Sequence, residues 1–84
     1  MAEQEEIFKT IVQIIDDYLP GVIDEKLTMD TVINNEAGVD SLGFVLIISK
    51  LEAKYDIKIS ERKMSKFLTI GDVVRYISDK TQKI

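Results

Sequence analysis

The sequence predicts an all-α protein, a small four-helix bundle with a long loop between helices 1 and 2 and a short third helix. Two observations carry this. Apolar residues recur at three- and four-residue spacing in stretches that begin near Gln4, Ser41 and Ile70, the pattern of helices with one buried face. Residue types that start and stop helices punctuate those stretches: Pro20-Gly21, Asp40-Ser41, Ser60, and Thr69 with Asp72,.

The first helix runs from Gln4 to Leu19. Ile7, Phe8, Ile11, Val12, Ile14, Ile15, Tyr18 and Leu19 make its apolar face, and Glu6, Lys9, Thr10, Gln13, Asp16 and Asp17 its solvent face. Pro20-Gly21 ends it,. Residues 21 to 39 then form a connection long enough to need packing by its own side chains. Val22, Ile23, Leu27, Met29, Val32 and Ile33 supply them. Asn34-Asn35 marks a turn, and Thr28 or Asp30 is placed to cap a short helical turn around Thr31 to Ile33,.

The second helix spans Ser41 to Tyr55, with Phe44, Ile48, Leu51 and Tyr55 as its buried stripe and Ile47 alongside,. The unbroken run Phe44-Val45-Leu46-Ile47-Ile48 points all round the axis,. Leu42 and Leu46, four apart on the side near Ser41, are the predicted exposed members and a candidate contact patch for a partner. Ser60 caps a brief third helix, Glu61 to about Lys66, with Met64 and Phe67 turned inward,. Thr69 and Asp72 resemble a capping box that opens the last helix, which extends to about Asp79 on a stripe of Ile70, Val73, Val74 and Ile77,. Thr81 to Ile84 are expected to fray.

Composition narrows the function. The 84 residues fit one domain, 1–84, with a single small core and no deep cleft,. Cysteine and histidine are both absent, which removes disulfides, thiolate metal sites and the commonest general base. The acidic N-terminus lacks a signal-peptide layout, and no apolar run approaches the ~18 residues of a membrane span; the expectation is a cytoplasmic monomer without membrane insertion. Residues 1 to 49 hold ten acidic side chains against Lys9 and Lys26, whereas residues 50 to 84 hold nine basic against five acidic. A nucleic-acid partner is not expected, because the basic residues alternate with acids and lack interleaved aromatics.

The chemistry gathers at Gly38-Val39-Asp40-Ser41-Leu42. A loop entering Asp40 and Ser41 places them at a helix N-terminus, where the first-turn amides and the macrodipole favour an anion on or near Ser41. No histidine is available to activate the Ser41 hydroxyl as a nucleophile in its own right,. If it is modified, another enzyme modifies it.

These residues resemble the signature of acyl and peptidyl carrier proteins, Asp-Ser-Leu preceded by Gly and a small or apolar residue. The resemblance extends through Leu51, Tyr55, Ile59, Phe67, Thr69-Ile70 and Tyr76-Ile77. It implies a helical carrier, not an enzyme, with 4'-phosphopantetheine attached to Ser41 by a phosphopantetheinyl transferase from coenzyme A. It implies acyl-loading and acyl-processing enzymes as partners, and a role for Asp40 in docking the transferase beside that of a helix cap. Common fatty-acid carriers line the second helix with acids; here that face offers Gly43, Leu46, Ala53 and Lys54, with Glu52 the only acid, and the third helix carries Arg62, Lys63 and Lys66. The expected partner residues are therefore Leu42, Leu46, Arg62 and Lys63, in a specialised fatty-acid, polyketide or lipid pathway. An aminoacyl or peptidyl carrier is the alternative within the family, and a helical interaction module without a prosthetic group is the alternative outside it.

Overall fold

The computed structural model describes residues 3–19, 27–33 and 41–81, with Ser41 described through its backbone. Four helices follow in order: α1 (Gln4–Tyr18), α2 (Ser41–Tyr55), α3 (Glu61–Met64) and α4 (Ile70–Thr81). The expected helical fold is thus the observed one.

Helix α1 packs against both α2 and α4, and the core forms where their apolar faces meet. Ile7, Ile11, Ile14 and Ile15 of α1 lie buried with Ile47, Ile48 and Leu51 of α2 and Ile70, Val73, Val74 and Ile77 of α4. Leu27 and Ile33 of the long connection join them, as their apolar character predicts, and so does Ile59 after α2. Val22, Ile23, Asn34 and Asn35 lie outside the described residues.

Local chemistry explains where the helices begin and end. Ser60 caps α3 by accepting the Lys63 N–H at 3.1 Å,. At α4 the capping box closes in both directions: Thr69 Oγ1 accepts the Asp72 N–H at 3.1 Å, and Asp72 Oδ2 accepts the Thr69 N–H at 3.0 Å,. The same carboxylate oxygen takes the Leu68 N–H at 2.8 Å, and the other pairs with Arg75 at 3.1 Å. These backbone bonds, from Thr69 first and then Leu68, hold the Asp72 carboxyl below its ordinary range, against a smaller opposing effect of burial; Arg75 adds to the lowering,.

Three expectations need correction. Thr31 to Ile33 form no helical turn. The turn falls at Met29–Asp30, and Val32 pairs with Thr69 in an isolated antiparallel bridge. The backbone groups of this segment are used at the start of α4: Ile33 N–H reaches the Leu68 carbonyl at 3.0 Å, Ile70 N–H the Thr31 carbonyl at 3.0 Å, and Gly71 N–H the Met29 carbonyl at 2.7 Å. Helix α3 stops at Met64, with Ser65 and Lys66 in a turn. Thr81 is the last residue of α4 rather than a frayed one, its hydroxyl donating to the Ile77 carbonyl at 2.9 Å.

Candidate functional site

Ser41 is the first residue of α2, and Asp40 lies outside the described residues. What surrounds the start of this helix is fixed by what anchors its remainder. Ile47, Ile48 and Leu51 bind one side of α2 into the core, and the Tyr55 hydroxyl reaches Thr10 Oγ1 of α1 at 3.3 Å. At its far end Asp56 takes a left-handed conformation with φ 55°. That lets the Ile57 N–H return to the Glu52 carbonyl at 3.2 Å, a Schellman-type close. The Glu52 carboxylate also accepts the Ile59 N–H at 2.7 Å. The acid that the sequence left on this helix is therefore occupied by the chain's own backbone.

With α2 so anchored, its outward side is a stripe of Leu42, Val45, Ser49 and Ala53 at three- and four-residue spacing, all exposed and all uncharged,. Leu42, next to Ser41, is 81% exposed, and Val45 is 48% exposed. Leu42 is exposed as expected. The expectation for Leu46 changes: it is half-buried, and Gly43, expected on the outer face, is buried. Gly43, Leu46 and Lys50 share one flank of the helix, and the Lys50 ammonium lies 4.5 Å from the ring centroid of Tyr18 on α1. That flank is turned toward α1, whereas Val45 lies on the other. Nothing in the apolar run itself indicates which flank is covered.

Aromatic packing positions Lys63 of α3. Phe67 meets Tyr76 edge-on, with centroids 5.5 Å apart at 61°,. Lys63 Nζ lies 5.2 Å from the Tyr76 centroid. Lys80, from the end of α4, lies 5.6 Å from the same ring. Arg62 is exposed and Lys63 half-buried. Sequence reasoning missed the part played by Lys80, since nothing local links it to Lys63.

Beneath the start of α2, Phe44 and Ile47 join Ile11, Ile15, Ile33, Ile70 and Val73 around an apolar cavity of about 10 Å³. A cavity of that size barely admits one water, and its lining offers no polar partner. Among the described residues this cavity is too small to hold a chain of carbons. Among the described residues no three His, Cys, Asp or Glu side chains converge on a metal position, and no helix is long and apolar enough to cross a membrane.

The model of the phosphopantetheine attachment site family matches residues 9–77. The chain is 34% identical over 80 residues to an acyl carrier protein of Thermotoga maritima, covering 95% of this chain and 98% of that protein. An acyl carrier protein of Clostridium perfringens is 35% identical over 77 residues, which is 92% of this chain and 100% of the relative. The matched span runs from within α1 almost to the end of α4, and so contains Ser41, Leu42 and the whole of α3.

Proposed function

The chain belongs to the acyl carrier protein family, non-catalytic carriers that hold a covalent 4'-phosphopantetheine, and from that premise we propose that Ser41 carries the arm. The observation that carries this reading is the start of α2: a helix N-terminus at Ser41 whose next side chain, Leu42, stands 81% exposed. Such a terminus suits the group to be attached, because its amides and the positive end of the helix dipole stabilise a phosphodiester. When bound, the arm supplies the thiol that this cysteine-free chain lacks, and acyl groups ride on it as thioesters.

The chain's own residues do the rest. The buried face of α2 fixes the helix, and with it the backbone at Ser41, against the rest of the bundle, so that a visiting enzyme meets the same helix end each time. With no histidine in the sequence, the Ser41 proton is taken by the transferase. Asp40, by analogy with the family's motif, offers that enzyme a carboxylate.

The same reading extends to the pathway. The neutral outward stripe of α2 and the cations of α3 support a dedicated set of cytoplasmic acyl-loading and acyl-processing enzymes in a specialised fatty-acid, polyketide or lipid pathway. The names of the relatives favour an acyl over an aminoacyl cargo.

Intact-mass measurement after incubation with coenzyme A, Mg²⁺ and a promiscuous phosphopantetheinyl transferase tests the attachment. The protein should gain one phosphopantetheine, and Ser41→Ala none. Unchanged mass in the parent chain, or a gain in the variant, would overturn the assignment. Specialisation is tested by offering the loaded protein and a housekeeping carrier to general fatty-acid enzymes; equal turnover would remove that part of the proposal.

A further inference from the structure

We propose that the face built from α3, Leu68 and the end of α4 docks an acidic surface on a protein partner while Ser41 is being served. The proposal rests on the carrier reading and adds the chemistry of the partner.

The charge is concentrated and uncompensated. Between Ile57 and Leu68 the chain carries Lys58, Arg62, Lys63 and Lys66 against Glu61 alone. Lys63 and Lys80 converge on the Tyr76 ring, at 5.2 Å and 5.6 Å, from two different helices. The ring's π-system attracts each ammonium and offsets part of the cost of leaving it without a counter-ion. A carboxylate would offset more. Yet among the described residues the ion pairs are Lys9 with Glu5 and Arg75 with Asp72, and none involves Lys58, Arg62, Lys63, Lys66 or Lys80. Asp79 is adjacent to Lys80 in the chain and Glu61 to Arg62, but neither closes such a pair.

The same stretch of chain also exposes an apolar residue. Leu68, two residues after Lys66, is 60% exposed, although its backbone is fixed by Asp72 and Ile33. An exposed apolar side chain on a fixed backbone, two residues from a lysine, fits a partner with an apolar socket and a carboxylate rim, where burial gives affinity and charge gives orientation and rate.

The remaining charge favours a protein over a membrane or a nucleic acid. Residues 1 to 49 carry ten acids against two bases, so an extended anionic surface would repel that half while attracting the other. A local acidic patch acts within a Debye length of about 8 Å at physiological salt and escapes that penalty.

The test uses a carbodiimide, which joins an ammonium to a carboxylate in contact. Arm-bearing protein in extract of its native host is cross-linked, and the linked residues are read by mass spectrometry. The expected product joins Lys63, Lys66 or Lys80 to Asp or Glu of one partner protein, and the yield at Lys66, whose amine is kept, falls by about tenfold or more in K63E/K80E, compared at equal arm occupancy and with melting temperature checked. Four results would each overturn the proposal: no link from these lysines, links chiefly from Lys9, Lys50 or Lys54 or from this chain's acids to partner lysines, links between two copies of this chain, or a yield unaffected by the charge reversal. Co-sedimentation with phosphatidylglycerol vesicles, or retention by a single-stranded RNA oligonucleotide, that disappears in K63E/K80E would assign the face to lipid or RNA instead. Intact mass reports the arm separately, so loss of the carrier reading is distinguishable from loss of this one.

Discussion

Helices α2 and α4 are both rich in apolar residues, but they place them differently. In α4 the apolar stripe of Ile70, Val73, Val74 and Ile77 is buried to the last residue, while Arg75, Asp79 and Lys80 face solvent. In α2 the core takes Ile47, Ile48 and Leu51, and Leu42 and Val45 stay outside. An exposed side chain of this kind contributes little to folding, which leaves Leu42 and Val45 available to the partner contact proposed above. Helix α4 holds the bundle together, and α2 also presents a surface.

The comparison is broken most directly by truncating one residue of each kind. Ile77→Ala removes a fully buried side chain and should cost about 2–5 kcal/mol in urea unfolding. Val45→Ala should stay within about 0.5 kcal/mol. Similar losses for the two would mean that α2 has no surplus.

Gly71→Ala probes how tightly α4 is tied to the long connection. A Cβ there would stand 2.7 Å from the Met29 carbonyl oxygen, with the Arg75 guanidinium at 3.0 Å. The guanidinium can swing away, but a backbone carbonyl hydrogen-bonded at 2.7 Å cannot do so without loosening that bond. Alanine favours a helix over glycine by about 1 kcal/mol; the displaced segment should outweigh this and leave a net loss of about 1–3 kcal/mol. Faster amide exchange at residue 71 would locate the damage, and a rise in melting temperature would refute it.

Asp72→Asn removes the charge from the α4 cap while keeping its shape, and should cost about 1 kcal/mol at neutral pH. Its pH dependence has a definite sign. Because the Asp72 carboxyl titrates below its ordinary value in the folded protein, its contribution is complete above the ordinary carboxylate value of about 4 and is lost as pH falls through the lowered one. The stability gap between parent and variant should therefore narrow below about pH 4 and close in stronger acid. A gap that is constant from pH 7 to pH 2 would show that the charge contributes nothing.

Most of this architecture was legible because it is local. The periodicity of α1 and α4, the Ser60 cap and the Thr69–Asp72 box all depend on residues within one or two turns. The segment Thr31 to Ile33 was misread for the opposite reason: its capping side chains suggested a helical turn, but its backbone partners are Leu68 and Ile70, far along the chain. Likewise the Glu52 clip on Ile59 and the meeting of Lys63 with Lys80 over Tyr76 depend on tertiary placement. At the candidate site, the Asp-Ser-Leu motif identified the position of Ser41 and the exposure of Leu42 followed. That Val45 rather than Leu46 extends the outward stripe depends on which flank α1 covers, and spacing within α2 alone does not contain that.

The smallest expected change in stability belongs to Leu42→Ser. The side chain is 81% exposed, so its removal withdraws little surface from the core, and unfolding should shift by no more than about 0.5 kcal/mol. An enzyme that must approach Ser41, however, has to pass over or pack against the adjacent leucine. An apolar residue buried at the centre of such a contact is worth more than about 1 kcal/mol when truncated, so kcat/KM of an acyl-loading enzyme for arm-bearing protein should fall by about fivefold or more. The fall should persist in high salt, since apolar burial is not screened as charge contacts are. An unchanged kcat/KM would mean that partners approach Ser41 without touching the outward stripe of α2, and the surplus apolar surface of that helix would need another explanation.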